Sequence, residues 1–287
     1  MKFLLLFAPS SLASNQSQIN DLTIEAFIKT LGDDFTIILC GELCSIQKYI
    51  SQVYTVVWDY SLLHNKSEFR CTVLYQKSDE LLEWLNQRET IVLSIPSYLD
   101  DERKRINEER TKLGLKQITF DTIHTVQWTE EMVALDWDSS QYYHVKTACV
   151  GGTFDCLHPG HRILLTLASL VCDHLIIGIT ADKMLETKLK HEKIASYEQR
   201  KQGVLEFLKQ VAPKLKVVVS PLVDIYGPSV VEQDIDAIIV SLETLAGAKM
   251  INQVREKKGL NPLIVFTVNR SSRYILSSTF IRNHKEL

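Results

Sequence analysis

The sequence predicts a two-domain α/β protein whose C-terminal half forms a doubly wound parallel sheet of five strands. At 287 residues, the chain is long enough for about two domains of ordinary size. Short apolar runs alternate with segments of helical pattern along its length, which is the order of elements found in α/β folds. Hydrophobic residues make up 45% and charged residues 23%, as in globular proteins, and no run approaches the ~18 apolar residues of a membrane span.

In the first half, short apolar runs predict buried strands, and the segments between them, such as 21–31, have helical potential. The charge-dense stretch 100–116 is expected to be a solvated helix. All four tryptophans lie in this half, and the short polar segment 136–143 is the expected linker. We therefore expect an N-terminal α/β domain of unknown role at 1–140 and a second domain at 145–287. The predicted strands of the first half are 3–8, 35–40, 54–58, 71–75 and 91–95.

In the second half, each apolar run precedes a helix-like segment, so five βα units are predicted. Such units build a parallel sheet, and ligands bind outside the carboxyl ends of its strands. Ser196 and Gln199 form a capping-box pattern ahead of an amphipathic helix, to which no chemistry is assigned. No internal repeat is evident. The predicted strands are 148–150, 174–180, 215–219, 237–240 and 263–268.

The formal net charge of -3 conceals two halves of opposite sign. Residues 1–145 carry 13 Lys and Arg against 21 Asp and Glu, a net -8, whereas residues 146–287 carry 19 against 14, a net +5. This basic half is too weakly charged to suggest duplex nucleic acid, but it suits a small polyanion.

The cysteines and the chain ends point to a reduced, cytoplasmic protein. The six cysteines contain no CxxC pair, as expected of reduced thiols. The apolar run after Met1 has only six residues before Pro9, which favours a first buried strand over a signal peptide. The last four residues faintly resemble an endoplasmic-reticulum retention signal, but Asp is missing from its second position.

The most informative stretch is Val150-Gly151-Gly152-Thr153-Phe154-Asp155-Cys156-Leu157-His158-Pro159-Gly160-His161. It has the form of a strand end, a glycine turn and a helix start. Two glycines without Cβ atoms allow a sharp turn and a close approach of a ligand to the backbone. Pro159 suits the first helical position, so the first-turn amides face the crevice, where they favour an anion. His158 and His161 are one helical turn apart, so both are expected to face that ligand.

The same residues were also compared with the patterns of a metal site, a dinucleotide-binding turn and a P-loop, and none of these is predicted. Two histidines at this spacing could ligate a metal, but no third ligand is apparent nearby, so no metal site is predicted. The chain has neither the GxGxxG pattern here nor a GxxxxGK[ST] sequence anywhere, which excludes a dinucleotide fingerprint and a P-loop.

The stretch resembles the signature of the nucleotidyltransferase superfamily that carries an HxGH motif on a Rossmann-like sheet. A second block, Leu276-Ser277-Ser278-Thr279-Phe280-Ile281-Arg282, resembles the ISSTxIR element of the same superfamily. Within it, the chain is most similar to pantetheine-phosphate adenylyltransferases of the eukaryotic and archaeal type, over about 146–282. The chain ends five residues after Arg282 and has no P-loop, so the resemblance implies a stand-alone form with a separate dephospho-CoA kinase.

The resemblance implies transfer of AMP from ATP to 4'-phosphopantetheine in coenzyme A biosynthesis, with Mg²⁺ accompanying ATP. His161, His158 and Thr153 are the implied catalytic residues. Lys188 matches the second lysine of the family's Lys-Ser-Lys pattern, while Glu186 replaces the first. Neither nucleic acid nor a membrane is implied, and other coenzyme A enzymes are possible partners. The residues implied to bind ATP or phosphate are Gly151, Gly152, Thr153, Phe154, His158, Gly160, His161, Lys188, Ser277, Ser278, Thr279 and Arg282.

Two alternative functions stay open on the sequence. Cytidylyltransferases and NMN adenylyltransferases share one block each, although the cytidylyltransferase form of the later block does not fit residues 277–282. A non-catalytic scaffold of the same fold is the alternative from another class, and the intact His158, His161, Thr153 and Arg282 argue against it.

Overall fold

A computed structural model of the chain divides into two compact units, residues 1–139 and 140–287. Among the described residues, no helix has the length and apolar character needed to cross a membrane. The structure describes residues 2–7, 34–40, 50–51, 53–55, 57–58, 70–76, 80–87, 92–96, 100–123, 144–186 and 191–268.

The N-terminal unit contains a five-stranded parallel sheet in the order β3-β2-β1-β4-β5. Helices α1 (Leu81–Asn86) and α2 (Asp100–Lys112) flank β4 in the chain, and their apolar residues pack with strand residues. Ile38, Leu81, Leu85, Ile106 and Ile118 form one buried cluster of this unit. The strands are β1 (Lys2–Phe7), β2 (Asp34–Cys40), β3 (Arg70–Gln76), β4 (Val92–Pro96) and β5 (Thr119–Ile123).

The sequence prediction for this unit is wrong at two places. Residues 54–58, predicted as a strand, are helical where the structure describes them, and Ile50, Val53, Tyr54 and Val57 are buried. Their spacing is that of one helical face, so the apolar run belongs to a longer amphipathic pattern. Strand β5 was not predicted, because polar residues interrupt its apolar ones. The predicted helix 21–31 lies outside the described residues.

The C-terminal unit is a doubly wound α/β fold, and its five predicted strands are confirmed. The parallel sheet has the order β8-β7-β6-β9-β10, so the first strand of the unit, β6, is central. The chain moves outward in one direction through β7 and β8 and then crosses β6 to β9, which creates the switch point where such folds bind ligands. The strands are β6 (Val145–Gly152), β7 (Cys172–Thr180), β8 (Lys216–Leu222), β9 (Ala237–Ser241) and β10 (Ile264–Val268).

Three longer helices connect these strands: α3 (Pro159–Leu170), α4 (Tyr197–Val211) and α5 (Leu245–Lys257). The predicted capping box at the start of α4 is confirmed, with Ser196 accepting from the Gln199 amide and Gln199 accepting from the Ser196 amide. Helix α5 packs Ala248 and Ile251 against Cys149 and Ile238 of the sheet. These buried contacts hold the central strand β6, whose carboxyl end carries the candidate site.

Candidate active site at the end of strand β6

The turn from β6 to α3 is made by residues in left-handed backbone conformations and not by the glycines. Phe154, Cys156 and Leu157 have φ of 54°, 58° and 31°. Gly151 and Gly152 are instead the last residues of β6 and pair with Gly178 and Ile179 of β7. The prediction that the glycines make the turn is therefore wrong. Backbone strain from positive φ at several non-glycine residues in one short segment is typical of functional turns, where surrounding contacts hold the backbone.

Gly152 is needed for space. A Cβ atom on this residue would lie 3.1 Å from the ring of Phe154, which is buried. The Phe154 ring in turn packs against His161, with ring centroids 5.2 Å apart. The glycine thus allows the phenylalanine to fold back under the turn and to support the histidine. At Gly151, which is exposed, a Cβ atom would meet only a Leu222 methyl at 3.6 Å.

Helix α3 begins at Pro159, as predicted, with His158 at the N-cap position. The His158 carbonyl accepts hydrogen bonds from the amides of His161 and Arg162 at 2.9 and 3.1 Å. Pro159 has no amide N–H and the His161 amide is already bonded, so the anion preference of this helix start comes mainly from the positive end of the helix dipole. The start of α3 lies just beyond the carboxyl end of the central strand, where a ligand of this fold binds.

The structure brings His158 and His161 together. Their rings stack with centroids 3.8 Å apart and planes inclined by 25°. His158 is 6% exposed, whereas His161 is partly exposed. The buried ring therefore fixes the orientation of the more accessible one. That one ligand contacts both histidines stays a prediction.

Arg200 of α4 connects three segments around the site. Its guanidinium donates hydrogen bonds to the carbonyl of Thr153 after β6 and to the carbonyl of Thr180 at the end of β7, both at 2.8 Å. It also donates to the Ala195 carbonyl at 2.8 Å and to Asp182 Oδ1 at 2.7 Å. The side chain is buried. Arg200 thus holds Thr153, a predicted catalytic residue, through its backbone.

The role of Arg200 in holding the site was not predicted from the sequence, because no chemistry was assigned to α4. A signal was present: Arg200 occupies the buried stripe of the helix, four residues before Val204, and both are buried. A charged residue at a core position of an amphipathic helix is rarely there without several partners.

Two carboxylates complete this framework. Asp155 is buried, and its Oδ1 accepts a hydrogen bond from the Ala195 amide at 3.3 Å. The Tyr197 amide and then Arg200 hold the pKa of Asp182 below its usual range by hydrogen bonding to the carboxylate. The stabilisation from Asp182 is therefore present at neutral pH and is lost as the pH falls through that lowered pKa. Thr180 Oγ1 adds a hydrogen bond to the Gly152 carbonyl at 3.3 Å.

Comparison with known proteins agrees with this geometry. A model of the cytidylyltransferase-like family matches residues 149–284. Over 143 residues, the chain is 38% identical to a phosphopantetheine adenylyltransferase of Pyrobaculum aerophilum, a match that covers 49% of the chain and 92% of that relative. The chain belongs to the phosphopantetheine adenylyltransferase family. The resemblance drawn from the two sequence blocks is thereby confirmed.

Two further relatives match similar shares of the chain but different shares of their own length. A phosphopantetheine adenylyltransferase of Methanosarcina acetivorans is 43% identical over 122 residues, which are 42% of the chain and 76% of the relative. The protein of the same name from Saccharomyces cerevisiae is 41% identical over 128 residues, but these cover only 41% of its length and 44% of the chain. The matched region thus spans most of the length of these two archaeal adenylyltransferases but less than half of the length of the yeast protein.

Several residues that the adenylyltransferase resemblance implied fall outside the described part of the chain. They are Ser277, Ser278, Thr279 and Arg282 of the later block and Lys188, so their roles stay predictions. Lys188 belongs to a basic loop after β7 that contains Lys183, Lys188, Lys190, His191 and Lys193. Of the same basic loop, Lys183, His191 and Lys193 are described and exposed. Lys183 follows β7, which neighbours β6 in the sheet, so this lysine lies at the same sheet edge as the start of α3.

Cys149 and Cys172 are buried free thiols. Burial raises the pKa of Cys149 and of Cys172 to about 12, so both are protonated at neutral pH. Cys156 is exposed and lies in the turn, two residues before His158.

Proposed function

We propose that the C-terminal unit transfers AMP from ATP to 4'-phosphopantetheine, giving dephospho-CoA and pyrophosphate. The observation that carries the proposal is the stacked pair His158 and His161 at the start of α3, beyond the central strand of the sheet. Membership of the phosphopantetheine adenylyltransferase family supports the choice of both substrates.

The reaction needs two polyanions to be held in line. An oxygen of the acceptor phosphate attacks the α-phosphorus of ATP, and a new P–O bond forms. The bond from that phosphorus to the oxygen bridging to the β-phosphate breaks, and pyrophosphate leaves with this oxygen. No covalent bond to the protein is required, so catalysis consists of positioning and stabilisation of charge.

The residues of the turn suit these tasks. We assign to His161 a hydrogen bond to the α-phosphate, whose charge changes during the transfer, and to His158 the support of that ring and of the phosphates. Thr153 is assigned to the attacking phosphate, with its backbone held by Arg200. Gly151, Gly152, Phe154 and Gly160 are assigned to the cradle at the start of α3, where the helix dipole favours phosphate oxygens.

Mg²⁺ is proposed to enter with ATP. In the described part of the chain, no three His, Cys, Asp or Glu side chains are grouped so that they could hold a metal ion. The ion would be held mainly by phosphate oxygens and water, which is its usual manner in nucleotide sites. When bound, the ion neutralises part of the triphosphate charge.

The nucleotide and the acceptor are tested by one panel of assays. Pyrophosphate release is measured for the whole chain with ATP or CTP against 4'-phosphopantetheine, nicotinamide mononucleotide, glycerol 3-phosphate and phosphoethanolamine. We expect ATP with 4'-phosphopantetheine to exceed every other pair in kcat/KM by at least about 10²-fold, because lost polar contacts to a wrong substrate carry a large cost. A preference for CTP or for another acceptor would transfer the proposal to a different branch of the superfamily.

The domain boundary leads to a separate prediction. Because the chain covers 92% of the Pyrobaculum relative within about half of its own length, we propose that residues 141–287 fold and bind ATP without residues 1–140. Calorimetric titration of this fragment with ATP is expected to give an affinity within about threefold of the whole chain. A folded fragment, judged by circular dichroism, that binds no ATP would contradict the proposed boundary.

Two further proposals concern the protein partners of the chain. A separate dephospho-CoA kinase would consume the product, and other enzymes of coenzyme A synthesis are candidates for contact with the N-terminal unit.

A further inference from the structure

The two units have the same sheet topology. Each is a five-stranded parallel sheet in which the first strand of the unit is central, the second and third lie on one side, and the fourth and fifth on the other. In both, a helix connects the fourth strand to the fifth: α2 leads to β5, and α5 leads to β10. Doubly wound folds are common, so this likeness alone does not distinguish a shared origin from a shared architecture.

The last helix and strand of each unit agree in much finer detail. In the N-terminal unit, Asn107 donates through Nδ2 to the Ile118 carbonyl at 3.2 Å and accepts from the Ile118 amide at 2.8 Å. Arg110 donates through Nε to the Lys116 carbonyl at 2.7 Å. We call this arrangement the Asn–Arg clasp, formed by Asn107 and Arg110. It fastens the helix to the chain that enters the last strand.

The C-terminal unit has the same clasp, formed by Asn252 and Arg255. Asn252 donates to the Leu263 carbonyl at 2.9 Å and accepts from the Leu263 amide at 2.8 Å. Arg255 donates through Nε to the Asn261 carbonyl at 2.6 Å. In both clasps the arginine is three residues after the asparagine, and the backbone partners are six residues after the arginine and 11 after the asparagine.

One further contact of each arginine corresponds, whereas another differs: Nη1 of Arg110 also donates to Asn86 Oδ1 at 3.4 Å, and Nη1 of Arg255 also donates to the Glu232 carbonyl at 2.9 Å. Arg110 donates through Nη1 to the Leu85 carbonyl, and Arg255 through Nη1 to the Ser229 carbonyl, each at 2.7 Å. Both acceptors lie in the connection between the third and fourth strands of their unit. Both arginines are 0% exposed. A doubly wound sheet does not require a buried guanidinium, and burying one is costly unless it is fully hydrogen-bonded.

The backbone repeats the same pattern. Gly114 and Gly259 end their helices with φ of 69° and 72°, and the next residue, Leu115 or Leu260, donates to the clasp arginine's carbonyl at 2.9 Å. Helix and strand bounds in the two units are offset by 145 residues: Asp100–Lys112 against Leu245–Lys257, and Thr119–Ile123 against Ile264–Val268. At this offset, eight of the 20 residues in 104–123 are identical to those in 249–268.

From these correspondences, we propose that residues 1–139 are a second copy of the nucleotidyltransferase unit that has kept the fold and the clasp but not the HxGH sequence. At the position of the HxGH turn, after β1, residues 8–33 contain no histidine and a single glycine, Gly32. The N-terminal unit is thus a non-catalytic copy, and the chain has one ATP site. This count of sites rests on the proposed function, whereas the duplication does not. The expectation that the chain has no internal repeat is therefore replaced by this proposed duplication.

The duplication is tested by matched variants in the whole chain. Arg110→Met and Arg255→Met each remove one clasp arginine while keeping an unbranched apolar side chain, and hydrogen exchange is followed by mass spectrometry. We expect Arg110→Met to speed exchange on the order of 10²-fold at residues 115–118, and Arg255→Met to do the same at 260–263, because buried carbonyls lose a charged donor. Each effect is expected to stay within its own unit.

Milder variants extend this comparison. Gly114→Ala and Gly259→Ala are expected to have smaller effects that are equal to within about threefold, because each forces an L-residue into a left-handed conformation in open space. Wild-type exchange at 115–118 in Arg110→Met would overturn the proposal, as would unequal effects of the two glycine variants.

The non-catalytic nature of the copy is tested by counting ATP sites. Calorimetric titration of the whole chain is expected to give one ATP per chain, and replacing both His158 and His161 by alanine is expected to weaken it by at least about 10²-fold. Two equivalents, or one that survives the double replacement at full affinity, would overturn the assignment of a non-catalytic copy. No binding by the wild-type chain would instead overturn the proposed function, and the exchange experiment would still decide the duplication.

Discussion

Replacing His161 with alanine is expected to lower kcat for pyrophosphate release by about 10²–10³-fold, the usual cost of losing one preorganised donor to a developing charge. The imidazole lies at the first turn of α3, stacked on His158 and backed by Phe154, so its orientation is set before substrates bind. The measurement is steady-state turnover with ATP and 4'-phosphopantetheine at saturation.

His144→Ala is the matched control for this variant. His144 is exposed, lies in the same unit and has its ring nitrogen 3.0 Å from Asp173 Oδ1, before β6 begins. Its loss is expected to leave kcat within about twofold, and both variants should retain the wild-type unfolding temperature within a few degrees. Near wild-type turnover in His161→Ala would remove the histidine from the mechanism.

Replacing Arg200 with methionine is expected to lower the free energy of unfolding by about 3 kcal/mol, because buried carbonyls lose their donors and Asp182 loses a cationic partner. The second consequence concerns catalysis. Thr153 loses the hydrogen bond that fixes its carbonyl, and a displacement of the attacking phosphate by about 1 Å can reduce the rate by up to 10²-fold. We expect kcat to fall about tenfold or more, with a smaller change in the KM for ATP.

Two further variants separate positioning by Arg200 from stability alone. Arg200→Lys is expected to recover part of the unfolding free energy but little of kcat, because an ammonium group cannot reach the carbonyls of Thr153, Thr180 and Ala195 together. Lys201→Met changes the neighbouring residue, which pairs with Glu198 on the surface, and should leave both quantities nearly unchanged. A stable Arg200→Met protein with wild-type kcat would show that Arg200 has no positioning role.

Much of the fold could be predicted because strands and amphipathic helices have local signatures. Nine of the ten described strands coincide with apolar runs, and the capping-box pattern of Ser196 and Gln199 predicts the start of α4. The wrong strand prediction at 54–58 also has a local cause. Tyr54 and Val57 belong to a helical spacing that begins at Ile50, four residues before the apolar run. Strand β5 gave little signal because Thr119, Asp121 and Thr122 interrupt its apolar residues.

The site was predicted only as far as its residues are contiguous. His158, Pro159 and His161 lie in one motif, so their placement at a helix start followed from the sequence. The source of the turn did not, because a left-handed conformation at a buried phenylalanine, Phe154, depends on its surroundings and not on local preference. The bonds of Arg200 join distant segments, which a single sequence does not display, whereas the bonds that define the two Asn–Arg clasps are local, and only their repetition at an offset of 145 residues marks them in the sequence.

The most direct test of the account is to follow the phosphorus atoms of ATP. The whole chain is incubated with 4'-phosphopantetheine and ATP labelled with ³²P at either the α- or the γ-position, and the products are separated. The account predicts that the α-label moves into dephospho-CoA and the γ-label into pyrophosphate, in equal amounts. The γ-label on the acceptor, or an α-label that leaves ATP without entering dephospho-CoA, would contradict adenylyl transfer at the His158–His161 site.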